Sequence, residues 1–159
     1  MWNRNNSQQP PAGQPQLSAI EQSAIGVERI LAAIGINPVQ ARLQIESGFG
    51  WSFQRGSALI EIYIAQQGQR EYLQVLAPIL HLPPNNLLAL YRRLLELNLS
   101  LTNASLGVYQ DVVYVFNERP LSGLDAGETN FIITQIAEYA DDLDNQLVNE
   151  FGGRLYSQA

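Results

Sequence analysis

Apolar residues first recur along this chain at Ile20, Ala24, Val27, Leu31 and Ile34, spacings of four and three that lay one narrow stripe along a helix. Ser18 and Glu21 form an S-x-x-E capping box at its start, each side chain serving a free backbone donor of the other. Gly35 stops the helix, and Pro38 lies just beyond. The period then changes to two. Ala41, Leu43 and Ile45 alternate with Gln40, Arg42, Gln44 and Glu46, which predicts a half-buried strand over 39–46. Gly48 and Gly50 break the alternation around Phe49, as a β-turn would. A second strand follows over 57–67, with Ile60, Ile62 and Ile64 on one face and Leu59, Glu61 and Tyr63 on the other. Gln67-Gly68 supplies a tight turn into a third strand over 70–80, closed by Pro78 and the segment from His81 to Pro84.

Pro83-Pro84 marks a second helix start, since proline suits the first helical turn, where its missing donor costs nothing. Leu87, Leu88, Tyr91, Leu94 and Leu95 trace a wide apolar face that ends near Asn98. Two strands over 103–109 and 112–118 are joined at Gln110-Asp111. A second capping box, Asp125 with Glu128, opens a last helix that runs to Phe151, with Ile132, Ile136, Ala140, Leu143 and Leu147 inward and Gly152-Gly153 at its end. The order α-β-β-β-α-β-β-α predicts an α+β fold, a single antiparallel sheet with helices. Residues 1–16 read as an Asn/Gln/Pro-rich disordered tail, 17–153 as one domain and 154–159 as a short C-terminal tail. Trp2 gives the first of these a possible short recognition segment, against the reading of a solvated extension.

Composition narrows the function by exclusion. The 159 residues carry 9 basic and 15 acidic side chains, a net charge of −6, and every base is Arg. That balance argues against a nucleic-acid footprint, which needs clustered cations. With no cysteine, disulfides, thiolate catalysis and Cys-ligated metals are excluded. No apolar run reaches the length of a membrane span, and the N-terminus lacks a signal-peptide pattern, so a cytoplasmic location is expected.

No constellation of catalytic residues emerges, and no enzymatic activity or cofactor is expected. Gly48-Phe49-Gly50 is an isolated G-x-G, without the rest of a phosphate-binding loop. The single histidine, His81, sits in a Leu-rich loop with no nucleophile elbow to serve. Asp125, Glu128, Glu138, Asp141, Asp142, Asp144 and Glu150 make the last helix acidic. Asp141 and Asp144, three apart, share a helical face that could hold a divalent ion, but divalent-cation sites draw ligands from loops or several elements, so no metal site is assigned. The same acids read either as a solvated face or as a surface for a basic partner.

The sheet offers a different surface. Leu59 and Tyr63 point away from the face carrying Ile60, Ile62 and Ile64, while Phe49, Trp51 and Phe53 crowd the adjacent turn at alternate positions. Aromatic residues on an accessible face anchor protein interfaces, so Phe49, Trp51, Phe53, Leu59 and Tyr63 form the candidate partner-binding set. The other reading is that these rings fill the edge of the core.

The stretch ASLGVYQDVVYVFNERPL followed by SGLDAGETNFIITQIAEYADDLDNQLVNEFGG resembles the YbjN-domain family, whose fold matches type III secretion chaperones. The carrying positions are Glu118 to Leu121, Leu124, Asp125, Glu128, Ala140, Asp141, Leu143, Asp144, Leu147 and Phe151 to Gly153. The order of elements extends the fold resemblance to about residues 17–153. The resemblance implies a non-enzymatic, chaperone-like adaptor that holds an extended client segment, often as a homodimer. The chain looks most like a branch common in photosynthetic bacteria, which implies assembly roles that include carboxysome shell assembly, with a shell protein as client. A regulatory or small-ligand/metal-binding domain, using Asp141 and Asp144 or His81, is the alternative.

Overall fold

The computed structural model describes residues 16–158. The expected N-terminal tail, Trp2 included, lies outside the described residues except for Gln16. Helix α1 (Ala19–Ala33) opens on the Ser18/Glu21 capping box, both halves of which are formed. Its stripe buries Ala24, Val27, Ile30 and Leu31, with Ile20 and Ile34 half-buried beside them. A one-turn helix α2 (Pro38–Ala41) and a two-residue strand β1 (Arg42–Leu43) stand where alternation predicted a strand over 39–46. The reason is local. The Asn37 side chain accepts from the backbone N–H of Val39 (3.0 Å) and Gln40 (3.3 Å), with Pro38 in the first helical position, so a capped turn forms and Val39 stays exposed.

The four long strands are β2 (Phe49–Arg55), β3 (Ala58–Gln67), β4 (Arg70–His81) and β6 (Val112–Pro120), with β5 (Ser105–Tyr109) shorter. All pairings are antiparallel, in the order β1-β2-β3-β4-β6-β5. The segment from Phe49 to Phe53, expected to be a turn, is therefore an inner strand. Pro78 breaks no ladder, because β3 pairs with β4 only as far as Leu76 and a register shift follows between Pro78 and Leu80. The hairpin at Gln110-Asp111 forms as expected, with φ of 47° and 62°. Within the expected C-terminal tail, residues 154–158 contribute β7 (Arg154–Leu155), which pairs with Leu80 and His81 at the end of β4, and a single 3-10 turn (Tyr156–Gln158).

Helix α4 (Ala126–Phe151) lies across β3, β4 and β6 and also meets α1. Its predicted stripe, Ile132, Ile136, Ala140, Leu143 and Leu147, is buried, together with Ile133 and Ala137. Asp125 caps the helix through the Glu128 N–H (2.8 Å), while the Glu128 carboxylate pairs with Arg119 at 2.8 Å. Helix α3 (Leu87–Asn98) packs on β5 through Leu90 and Leu94. The wide face read from the sequence is mostly turned outward, with Leu88 84% and Leu95 69% exposed.

Candidate functional site

Strand pairing sorts the sheet residues into two faces. Cα partners share a face, so Phe49, Trp51 and Phe53 stand beside Ile64, Ile62 and Ile60, in the core with α1 and α4. Of the two readings of those rings, an accessible face shared with Leu59 and Tyr63 or the edge of the core, the register and burial correct the first and agree with the second. Trp51 is fully buried, Phe53 is buried and Phe49 is half-buried. Burial of such rings supplies roughly 2–3 kcal/mol each, a core contribution. Arg42 closes their outer edge. Its guanidinium lies 4.4 Å from the Phe49 ring centroid and 4.9 Å from that of Trp51, and it pairs with Glu28 of α1 at 2.9 Å.

The opposite phase builds a second surface, on which Ser52, Glu61, Tyr63, Gln74, Leu76, Tyr114 and Phe116 are half-exposed, Ser105 and Glu118 exposed and Pro78 buried. Ser52, Glu61, Leu76, Phe116 and Ser105 follow one another as Cα partners across the strands. Gly50, Tyr63, Gln74 and Glu118 make the next row, and Pro78, Tyr114 and Gly107 the row on the other side. Two glycines give the rings room to lie down. A Cβ on Gly50 would stand 3.2 Å from the Tyr63 ring, and one on Gly107 would stand 3.3 Å from Phe116 Cε1. The result is a shallow groove of about 570 Å³, lined by Glu61, Tyr63, Leu76, Tyr114, Phe116 and residues of β5. Of the five residues expected to bind a partner, Leu59 and Tyr63 belong to this face, while Phe49, Trp51 and Phe53 belong to the core.

The groove is acidic at its centre and holds no base. Burial raises the Glu61 carboxyl above the ordinary range, opposed by a hydrogen bond with Tyr63. The Tyr63 phenol is pushed up to about 12, first by burial and then by the Glu61 charge. Tyr114 is raised as well, first by burial and then by its neighbours Tyr156, Glu61 and Tyr109. Tyr156 in the C-terminal turn stacks on His81, ring centroids 5.2 Å apart. His81 is thus a packing residue at the end of β4, its Nε2 buried without a hydrogen-bond partner.

Asp141 and Asp144 are engaged by the chain itself. Ser57, in the turn between β2 and β3, donates its N–H to Asp141 Oδ1 (3.1 Å) and its hydroxyl to Asp144 Oδ2 (2.6 Å). Asn145 adds a bond to the Ser57 hydroxyl at 3.2 Å. Gly56 is required here, with φ +57° and its Cβ position occupied by the Asp141 carboxylate. The pair clasps the hairpin to α4. Burial raises Asp144, against the lowering effect of Ser57. Among the described residues no group of three or more His, Asp or Glu side chains converges as metal ligands.

Tyr114, Phe116, Glu61, Gln74 and Leu76 were not singled out from the sequence. The signal was present in VVYVF: Val113 and Val115 carry the core phase, leaving Tyr114 and Phe116 on the other. Aromatic rings out of phase with buried β-branched residues mark both β3 and β6.

The fold is thus a sheet backed by helices on one face, with aromatic rings half-exposed on the other. The chain belongs to the TY-Chap1 family, T3SS (YopN, CesT) and YbjN peptide-binding chaperone 1, whose family model matches residues 47–159. Its fold is similar to that of a chain in the crystal structure of the ExsC-ExsE complex, with a TM-score of 0.62 and 13% identity over 82% of this chain and 97% of that one. A chain of the HopA1-SchA chaperone-effector complex is also similar, with a TM-score of 0.53 and 12% identity over 78% and 97%. At such identities the likeness shows the fold. No curated protein sequence matches the chain. Among the described residues no helix is long and apolar enough to cross a membrane.

Proposed function

We propose that this protein is a non-enzymatic adaptor that holds an extended client segment against the uncovered sheet face, in the groove over Tyr63, Leu76, Tyr114 and Phe116. The observation that carries this reading is the half-exposed aromatic face on a sheet whose other face is fully packed. Leu59 extends the same surface toward the hairpin at Gly56. Pairing of a client along the β5 edge is the less favoured route. Asn98 accepts from the Leu106 N–H at 2.7 Å and donates to its carbonyl at 3.3 Å, blunting that edge. A cytoplasmic setting is proposed from membership of a peptide-binding chaperone family, and a carboxysome shell protein as client from the family branch the sequence resembles.

The protein also acts, in this proposal, as a homodimer through the outer face of α3. Leu88, Tyr91, Leu95 and Leu99 line that face, and Leu99 is 90% exposed. A two-fold interface uses the same patch on both copies, which one apolar helix face can supply.

Affinity capture with the full chain tests the client reading, using wild type and a Tyr63→Asp/Phe116→Asp double variant of unchanged thermal stability. A client retained by wild type and lost by the variant is expected. A client held equally by both would place binding elsewhere.

A further inference from the structure

We propose that the groove selects client segments bearing an Arg or Lys side chain, which the Glu61 carboxylate receives among the rings of Tyr63, Tyr114 and Phe116. The inference rests on the groove being the client site and adds the chemistry of what it accepts. Glu61 sits in the middle row of the uncovered face, between Ser52 and Leu76. None of the residues lining the groove is basic. Among the described residues the ion pairs are Arg42–Glu28, Arg92–Glu96, Arg93–Glu150 and Arg119–Glu128, so Glu61 has no cationic partner there.

A half-buried carboxylate without a counter-ion is costly to hold, and a cation supplied by a ligand removes that cost. The surrounding rings favour the same ligand, because their faces attract cations. The molecule already uses this combination on its other face, where Arg42 lies over Phe49 and Trp51 and pairs with Glu28. On the groove side the rings and the carboxylate are present and the guanidinium is missing. A neutral apolar segment would leave Glu61 buried with its Tyr63 hydrogen bond but no counter-ion, and an acidic one would be repelled. The apolar neighbours Leu76 and Phe116 suit aliphatic or aromatic side chains flanking the cation. A backbone lying across the strands would present them at alternate positions.

The test is selection of random twelve-residue peptides displayed on phage by the full chain, in parallel with Glu61→Gln, Glu61→Lys and Phe116→Asp variants, each first shown to melt like wild type. Wild type should enrich peptides with one Arg or Lys beside apolar residues. In solution, replacing that residue by Gln should weaken binding about tenfold, the effect of losing a charge-assisted hydrogen bond. Glu61→Gln should remove this discrimination, and Glu61→Lys should turn it toward Asp and Glu. Should wild type enrich peptides that need Phe116 but carry no basic residue, or should Glu61→Gln keep the basic preference, the inference is wrong and the groove reading stands. Enrichment of no peptide, or of peptides that Phe116→Asp binds as well as wild type, would overturn the groove reading and the inference with it.

Discussion

Ser57 shows how single residues hold this fold. Its hydroxyl and N–H satisfy two carboxylates of α4, and Asp144, at 2% exposure, has no access to water in exchange. Hydrogen bonds to charged groups contribute about 1.5–3 kcal/mol, so Ser57→Ala should cost about 2 kcal/mol in urea unfolding. A loss below about 0.5 kcal/mol would mean that the clasp is ornamental. Tyr63 makes a prediction of a different kind. Its phenol ionises near 10 when unfolded and is pushed up to about 12 when folded. The folded state therefore keeps a proton that the unfolded chain gives up, and stability falls as pH rises through that interval. The contribution is intact below pH 10 and lost by about pH 12. The melting temperature of wild type should drop more steeply between these values than that of Tyr63→Phe, and identical slopes would contradict the burial argument.

Among the elements, the stripes of α1 and α4 were legible, while the face of α3 and the first strands were not. Ile132 to Leu147 and Ala24 to Leu31 are buried as their spacing requires, because a helix packed on a sheet leaves little freedom in which side faces in. The segment over 39–46 alternates like a strand, but the Asn37 cap and Pro38 act locally and turn it into α2. The segment from Phe49 to Arg55 looked like a turn because of Gly48 and Gly50. Gly50 is there to accommodate the Tyr63 ring from the neighbouring strand, a long-range demand that local pattern does not express. Without that pairing the register is not legible, and local pattern leaves Phe49, Trp51 and Phe53 open to two readings, an accessible face or the edge of the core. Arg42 links α1 to β2 through Glu28 and the two rings, so Arg42→Ala should destabilise by about 1 kcal/mol in thermal or urea unfolding. Helix α3 carries the assembly prediction. Leu95→Glu should leave folding unchanged, since Leu95 is 69% exposed, and should convert a dimer to a monomer by light scattering. A wild-type monomer at all accessible concentrations would remove the proposed interface.

At the scale of the whole molecule, the element order and the family membership of residues 47–159 agree with a peptide-binding chaperone fold; the order was readable in outline along 17–153, and the family from the motifs of the C-terminal part. The proposed binding face was only partly readable. Leu59 and Tyr63 fell on it because β3 alternates cleanly, whereas Tyr114 and Phe116 required knowledge that β6 lies beside β4 rather than at an edge. The sheet thus has two phases of side chains, one building the core and the other left half-exposed, where we propose a client is held. The most direct test is amide NMR of the isotope-labelled full chain, titrated with the best peptide from the selection. The account predicts shift changes concentrated at Glu61, Tyr63, Gln74, Leu76, Gly107 and Phe116, with α1 and α4 unmoved. Changes confined to the helices, or running along one edge strand while the groove residues stay still, would contradict it.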